Sequence, residues 1–329
     1  MNLDVLFNNI TKLKVAVIGD AMLDTYWWGK VDRISPEAPV PVVSVIRKEQ
    51  RIGGAANVAL NVQALGSKVF LLGVIGADAE GNQLTELAHT QNIDTRFIVK
   101  SAHRITTNKI RIISRNQHMM RLDAEITQNL TKEEEESLLY NFENFIAEVN
   151  PDIVILEDYN KGVLTPAVIE KVISLCKHHH ILTAVDPKRN NFFAYTGVDI
   201  FKPNLKEVKE AFNILSDEVS KAHLSDIHER LQSQLNHAIS FITLSEKGVF
   251  YQMKNDLPEI ISSHIRNVAD VSGAGDTVIA VASVVYAATK DVNQMAAIAN
   301  IAGGLVCEEV GTVAISKENL LMECKKLLN

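Results

Sequence analysis

The stretch Asp270-Val271-Ser272-Gly273-Ala274-Gly275-Asp276-Thr277 joins a glycine-rich turn to a helix start and sets a carboxylate on it. A polar, extended-looking segment precedes it, and the small, apolar run from Val278 to Ala288 reads as a buried helix. A helix opening near Gly273 leaves the N–H groups of residues 273 to 276 without intrahelical acceptors, at the positive end of the helix dipole. That end is an anion site. Glycines at 273 and 275 allow close approach to an oxyanion and a positive φ, while Asp276 adds a carboxylate beside the anion. An anion cradle next to a base suits transfer of a charged group onto a hydroxyl. Taken alone, the same residues also serve as an ordinary N-cap and turn. Two other phosphate motifs are excluded. No Lys follows the second glycine as in a Walker loop, and Val278 stands where a dinucleotide fingerprint has its third small residue.

Around this stretch lies a 329-residue chain, long enough for a large core, with 47% hydrophobic and 22% charged residues, ordinary values for a globular enzyme. A net charge of −7 argues against a general nucleic-acid surface and confines any phosphate site to a local pocket. Cys176, Cys307 and Cys324 lack metal or redox spacing, which fits a reduced cytoplasmic interior. Leu13 to Gly19 is too short for a signal peptide or span, so no membrane association is expected.

Lys14 to Ile18 reads as a central parallel strand that delivers Gly19 and Asp20 at its carboxyl end, where ligands bind in such sheets. Residues 24 to 28 alternate, and Pro36, Pro39 and Pro41 break the next stretch into extended pieces, an excursion from the main sheet. Gly53-Gly54-Ala55-Ala56-Asn57 opens a second helix made of small residues, fit either for a ligand or for tight helix packing. From Phe97 to Leu122 the period is two: Lys109 and Arg111 share one face, Ile110 and Ile112 the other. Solvated edge protection is the plain account of those cations. Thr131 with Glu134 forms a capping box, and βα units continue from there through Asp186. Asn204 and Glu207 share a face at a helix start, where Asn204 caps or the pair holds a magnesium-bound water. Strands are expected over Ile239–Leu244, Gly248–Met253 and Glu259–Ile265. His178 to His180 read as a solvated helix end.

With Gly53 to Asn57 near the start and Asp270 to Thr277 near the end, the chain resembles the ribokinase-like (PfkB) carbohydrate kinases over nearly its full length. Asp20-x-Met22-Leu23-Asp24, Arg33-Ile34-Ser35-Pro36-Glu37, Thr107-x-Lys109-x-Arg111, Ser114 to Gln117, and Asp158-Tyr159-x-Lys161-Gly162 are similar to the subgroup acting on D-glycero-β-D-manno-heptose 7-phosphate. The resemblance implies an α/β ribokinase-like sandwich: one domain over 1–329, a central, mostly parallel sheet flanked by helices, and a small β lid at about 22–47 and 97–123. It implies ATP and Mg²⁺, a sugar-phosphate substrate, and a place in ADP-heptose and lipopolysaccharide core precursor synthesis, while the lid's apolar back, Ile110 and Ile112, suggests a homodimer joined lid to lid. Many such kinases are fused to an adenylyltransferase domain. None is expected within this chain, which assigns that step to a separate protein.

Asp276 is implied as the base, with Gly273, Ala274 and Gly275 as the phosphoryl-stabilising amides. Asp20, Asp24, Gly53, Gly54 and Asn57 are implied sugar contacts. Lys109 and Arg111 are the inferred clamp for the 7-phosphate, joined by Lys161 or Arg115. Lys188, Asn204, Glu207, Ser245, Gly248 and Asn300 are implied on the nucleotide side, with Glu207 reaching the metal through water.

Overall fold

A computed structural model describes residues 2–328 of the chain apart from 116, 217, 255 and 265–267. Asn116 of the signature and Ile265, the expected end of a strand, lie outside the described residues. The order begins with Leu3–Ile10 (α1), Lys14–Gly19 (β1), Ala21–Ile34 (β2), Pro41–Gly54 (β3) and Ala55–Ala64 (α2). Lys68–Gly76 (β4), Ala79–Thr90 (α3), Ile98–Ser101 (β5), Thr107–Ser114 (β6) and Gln117–Ala124 (β7) come after them. Next are Lys132–Val149 (α4), Ile153–Glu157 (β8), Pro166–His178 (α5), Leu182–Asp186 (β9), Ile200–Phe201 (β10), Leu205–Phe212 (α6) and Lys221–Leu235 (α7). Ile239–Thr243 (β11), Val249–Met253 (β12), Glu259–Ile261 (β13), Ala274–Thr289 (α8), Val292–Val306 (α9) and Lys317–Leu327 (α10) complete it.

Among the described residues, nine strands form the main sheet in the order β13-β12-β11-β10-β9-β8-β1-β4-β5. It is parallel from β11 to β5, and β12 and β13 extend it antiparallel. Helices cover both faces, so the central strands read as unbroken apolar runs. Val15, Val17, Ile153 and Ile155 point into the layer packed by α1, α2, α8 and α9. Ala16, Ile18, Val154 and Leu156 point into the layer of α4, α5 and α7. Each large apolar side chain so buried contributes roughly 1.5–3 kcal/mol, which fixes the strands and therefore their ends. Those ends carry Asp20, Glu157, Asp158, Asp186 and Lys202, all buried. No helix among the described residues is long and apolar enough to cross a membrane.

The second sheet, β3-β2-β6-β7, is the lid. Register places Asp24 beside Lys109, Tyr26 beside Arg111, and Arg111 opposite Arg121, which makes one face polar. The alternate positions place Thr25, Ile110 and Leu122 in one row and Trp27, Ile112 and Met120 in the next, making the back face apolar. The lid spans 21–54 and 107–124 instead of 22–47 and 97–123. Pro41 occupies the first residue of β3, where a missing N–H costs little, and Pro36 and Pro39 fall in the turn, so the prolines shape the hairpin without breaking it. Ile98–Ser101 pairs with β4 at the edge of the main sheet, which removes it from the lid. The helices α1 and α7 have no counterpart among the expected elements, and β13 ends earlier than expected.

Candidate active site

The first turn of α8 meets the start of α2 at the carboxyl ends of β1, β8 and β9. Gly273 caps α8 at φ 79°. A Cβ there would stand 3.0 Å from Asn57 Nδ2, so glycine serves both the left-handed turn and the close approach of α2. Asn57 Nδ2 donates to Asp276 Oδ2 at 2.7 Å, joining two motifs 219 residues apart. Tyr159, in the loop after β8, donates its hydroxyl to Asp276 Oδ1 at 2.7 Å. Burial pushes the Asp276 carboxyl up to about 6, against the lowering effect of these two donors. An aspartate tuned in this way is a better proton acceptor than one of ordinary pKa.

The first intrahelical bond of α8 runs from Thr277 N–H to the Gly273 carbonyl at 3.0 Å. The amides ahead of it have no preceding helical turn to donate into. The expected trio of free amides is corrected at Ala274, whose N–H turns back to the Val271 carbonyl at 3.3 Å. Ala274 and Gly275 border a cavity of about 1160 Å³, which Asn204, Ser245, Gly248 and Asn300 also line. Its wall is largely apolar, with Val219, Val249 and Val278, and carries Lys206, Lys209 and Lys247. Such a pocket takes a flat heterocycle on its apolar wall and an anionic tail toward the helix start.

Between cavity and base lies a charged cluster that sequence reasoning did not assemble. Lys202, almost fully buried, donates to Asp186 Oδ2 at 2.8 Å, and Lys188 bridges Asp186 at 3.0 Å and Glu207 at 2.8 Å. Burial opposes ionisation of Asp186, but the two ammonium groups outweigh it and hold its carboxyl below the usual range. Burial likewise opposes the charge on Lys188, and Asp186 and Glu207 reverse that and raise its pKa. Glu157 is fully buried with neither carboxylate oxygen bonded. Burial, then Asp186 and Asp276, push its carboxyl well above the ordinary glutamate value. The missed signal was local: Glu157 and Asp186 each end an apolar strand, as Asp20 nearly does.

Several expected contacts are already occupied. Asp20, expected on the sugar, accepts main-chain N–H groups from Tyr159 (2.8 Å), Lys161 (3.0 Å) and Val163 (3.1 Å); it organises that loop instead. Lys161 is paired with Glu125 at 2.8 Å, and Arg111 with Asp24. Gly53 leaves room for Asp24, since a Cβ would lie 2.4 Å from its Oδ2. Gly54 turns the chain into α2 at φ 57°. Glu207, expected to reach a metal through water, closes a capping box with Asn204 and gives its other oxygen to Lys188. Lys109 differs. Its ammonium lies 5.0 Å over the Tyr159 ring with no ion pair among the described residues, and burial lowers its pKa.

Comparison with known proteins gives a consistent answer. The profile of the pfkB family of carbohydrate kinases matches residues 12–319. A protein named Bifunctional protein HldE from Helicobacter pylori strain J99 is 39% identical over 311 residues, covering 94% of this chain and 66% of its own length. Its namesake from Sulfurimonas denitrificans is 38% identical over 303 residues, 92% of this chain and 62% of its own. The chain thus spans about two thirds of the length of these relatives. In fold it is similar to Escherichia coli phosphofructokinase-2 in complex with fructose-6-phosphate, at TM-score 0.78 and 16% identity over 96% of this chain and 100% of that one. Arabidopsis thaliana ribokinase complexed with ribose and ATP superposes at TM-score 0.72 and 17% identity, over 94% and 99%.

Proposed function

The chain belongs to the pfkB family of carbohydrate kinases, and from that premise we propose that it transfers the γ-phosphoryl group of ATP to the anomeric hydroxyl of D-glycero-β-D-manno-heptose 7-phosphate, giving the 1,7-bisphosphate. The observation that carries the reading is the 2.7 Å bond between Asn57 and Asp276 beside the nucleotide-sized cavity, because it brings a sugar-side motif and a phosphate-side motif to one carboxylate. The heptose-type signature residues, and the similarity over 94% of the chain to the HldE relatives, support the particular sugar.

In this reading Asp276 takes the proton of the sugar hydroxyl as its oxygen bonds to the γ-phosphorus, and the bond to the bridging β,γ-oxygen breaks to release ADP. The transition state of such transfers is loose, so aim and charge stabilisation count for more than base strength. Lys109, a cation on the lid's polar face with no ion pair among the described residues, binds the 7-phosphate. Lys188 and Lys202 neutralise Asp186, which lies 3.7 Å from where a Gly275 Cβ would stand, so the triphosphate is not repelled at the helix start.

Among the described residues no three His, Cys, Asp or Glu converge as a ready metal cage. Magnesium suits a site of this kind when nucleotide phosphates and water supply most ligands and one or two carboxylates the rest. Glu157, whose two oxygens are unbonded, fits that supporting role in its ionised form, and the ion would neutralise phosphate charge. We place the protein in the cytoplasm, in keeping with its three free thiols, as a dimer through the lid's apolar back. The test is a coupled ADP assay with phosphorus NMR of the product. Turnover of fructose 6-phosphate with none of the heptose phosphate would overturn the reading.

A further inference from the structure

We propose that Tyr159 is the positioning residue for Asp276, its hydroxyl holding the carboxylate at the point where the sugar's proton is taken. The inference rests on the kinase reading above and gives a role to Tyr159, a signature residue to which that reading assigns none. Its footing is geometric. The hydroxyl donates to Oδ1 while Asn57 holds Oδ2, both at 2.7 Å, so the carboxylate is gripped at both ends. Each oxygen keeps a further acceptor site, which leaves room for an incoming hydroxyl.

The phenol itself is held firmly. Its main-chain N–H, with those of Lys161 and Val163, is bound to the buried Asp20 carboxylate. Its ring is faced by Lys109 from the lid at 5.0 Å and by Lys188 beyond β9 at 5.6 Å. Tyr159 therefore sits where lid, strand ends and the start of α8 converge. A phenol of ordinary pKa, about 10, keeps its proton across the working range, so Tyr159 remains a donor to Asp276.

The groups facing Asp276 divide clearly. Asp186 from β9 opposes its ionisation, and Glu157 from β8 adds to the acidic surroundings when charged. Lys188 favours ionisation, and Lys202 acts through Asp186. Asn57 and Tyr159 are the neutral donors that favour the charged form, and Tyr159 can lose its donor atom while keeping its ring.

The experiment is Tyr159→Phe. The acid limb of the kcat/KM profile is expected to move up by about one pH unit, the usual order for one hydrogen bond to a carboxylate. The rate at pH 6 then falls roughly fivefold and the rate at pH 8.5 hardly at all, with KM for ATP little changed. A profile superimposable on the parent's, or a rise in sugar KM alone, would overturn the proposal. A second readout needs no turnover: carbon-13 NMR of labelled aspartate, with Asp276 assigned through Asp276→Asn, should show its titration moved upward in Tyr159→Phe. An unmoved titration overturns the inference whatever the sugar. A moved titration in a protein inactive on the heptose phosphate supports it and rejects only the substrate assignment.

Discussion

Replacing Asp276 by Asn should stabilise the protein at alkaline pH while removing its activity. The carboxyl is buried and pushed up from 3.8 to about 6, so the folded state resists its charge. Between about pH 4 and 6 the folded chain binds the proton that the unfolded chain has released, and stability falls as pH rises through that window. Above it the full penalty is present, about 3 kcal/mol at 1.36 kcal/mol per pKa unit. Asparagine carries none of it. Against this stands one lost hydrogen bond, since Asn57 and Tyr159 both donate and the new amide group must face one of them, at a cost of about 1 kcal/mol.

The net expectation is a gain of about 2 kcal/mol at pH 8 and a loss of about 0.5 kcal/mol at pH 4, a crossover readable as Tm differences that change sign. Turnover should fall by at least about 10²-fold, the lower end for a lost proton acceptor, with ATP affinity within a few-fold. Thermal melts across pH, nucleotide titration and the ADP assay read all three quantities. A variant destabilised as much at pH 8 as at pH 4 would show that Asp276 is not a penalised charge, and one retaining a tenth of the activity would remove it from the chemistry.

Lys109→Ala should raise KM for the phosphorylated sugar by roughly tenfold or more, the worth of one charge-assisted hydrogen bond, and leave that for ATP nearly unchanged; equal effects would move Lys109 out of the sugar site. Light scattering should find a dimer that the double substitution Met120→Glu with Leu122→Glu converts to a monomer, both side chains being exposed on the lid's back face; a parent protein that is monomeric at micromolar concentration refutes lid-to-lid association. Burial pushes His237 down to about 3, so stability is complete above pH 6.5 and declines as pH falls, by about 1 kcal/mol at pH 5.5. Urea midpoints of His237→Gln should decline less over that range, and parallel declines would exclude the histidine.

What could be read from the sequence was whatever depends on neighbours along the chain. The apolar runs of β1, β8 and β9, the caps at Thr131 and Asn204, and the glycine at 273 each carry their cause within a few residues, and the structure agrees with them, whereas Gly275 does not take the positive φ it would allow. The period-two face of β6 also survived, since alternation fixes sides before any partner is known. Ile98–Ser101 shows the limit: its alternation says that a strand forms, but only the pairing with β4 says in which sheet.

The chemistry of the site was less legible because it is set by distance in space. Asp20 looks from the sequence like a ligand at a strand end, yet the loop 159–163 closes over it and consumes its oxygens. Asp276 looks like an ordinary carboxylate, and it becomes a tuned one only because α2, α8 and the β8 strand end exclude water around it. Glu157 carries the same lesson further, since nothing beside it in sequence marks its carboxyl as one that resists charge. Its state is set by Asp186 and Asp276 standing close by in a dry interior with no hydrogen bond to either of its oxygens. A magnesium-bearing triphosphate would change that balance. The arriving cation would favour the ionised form of Glu157, so nucleotide binding should release protons, and a dependence of the binding enthalpy on buffer ionisation would measure them.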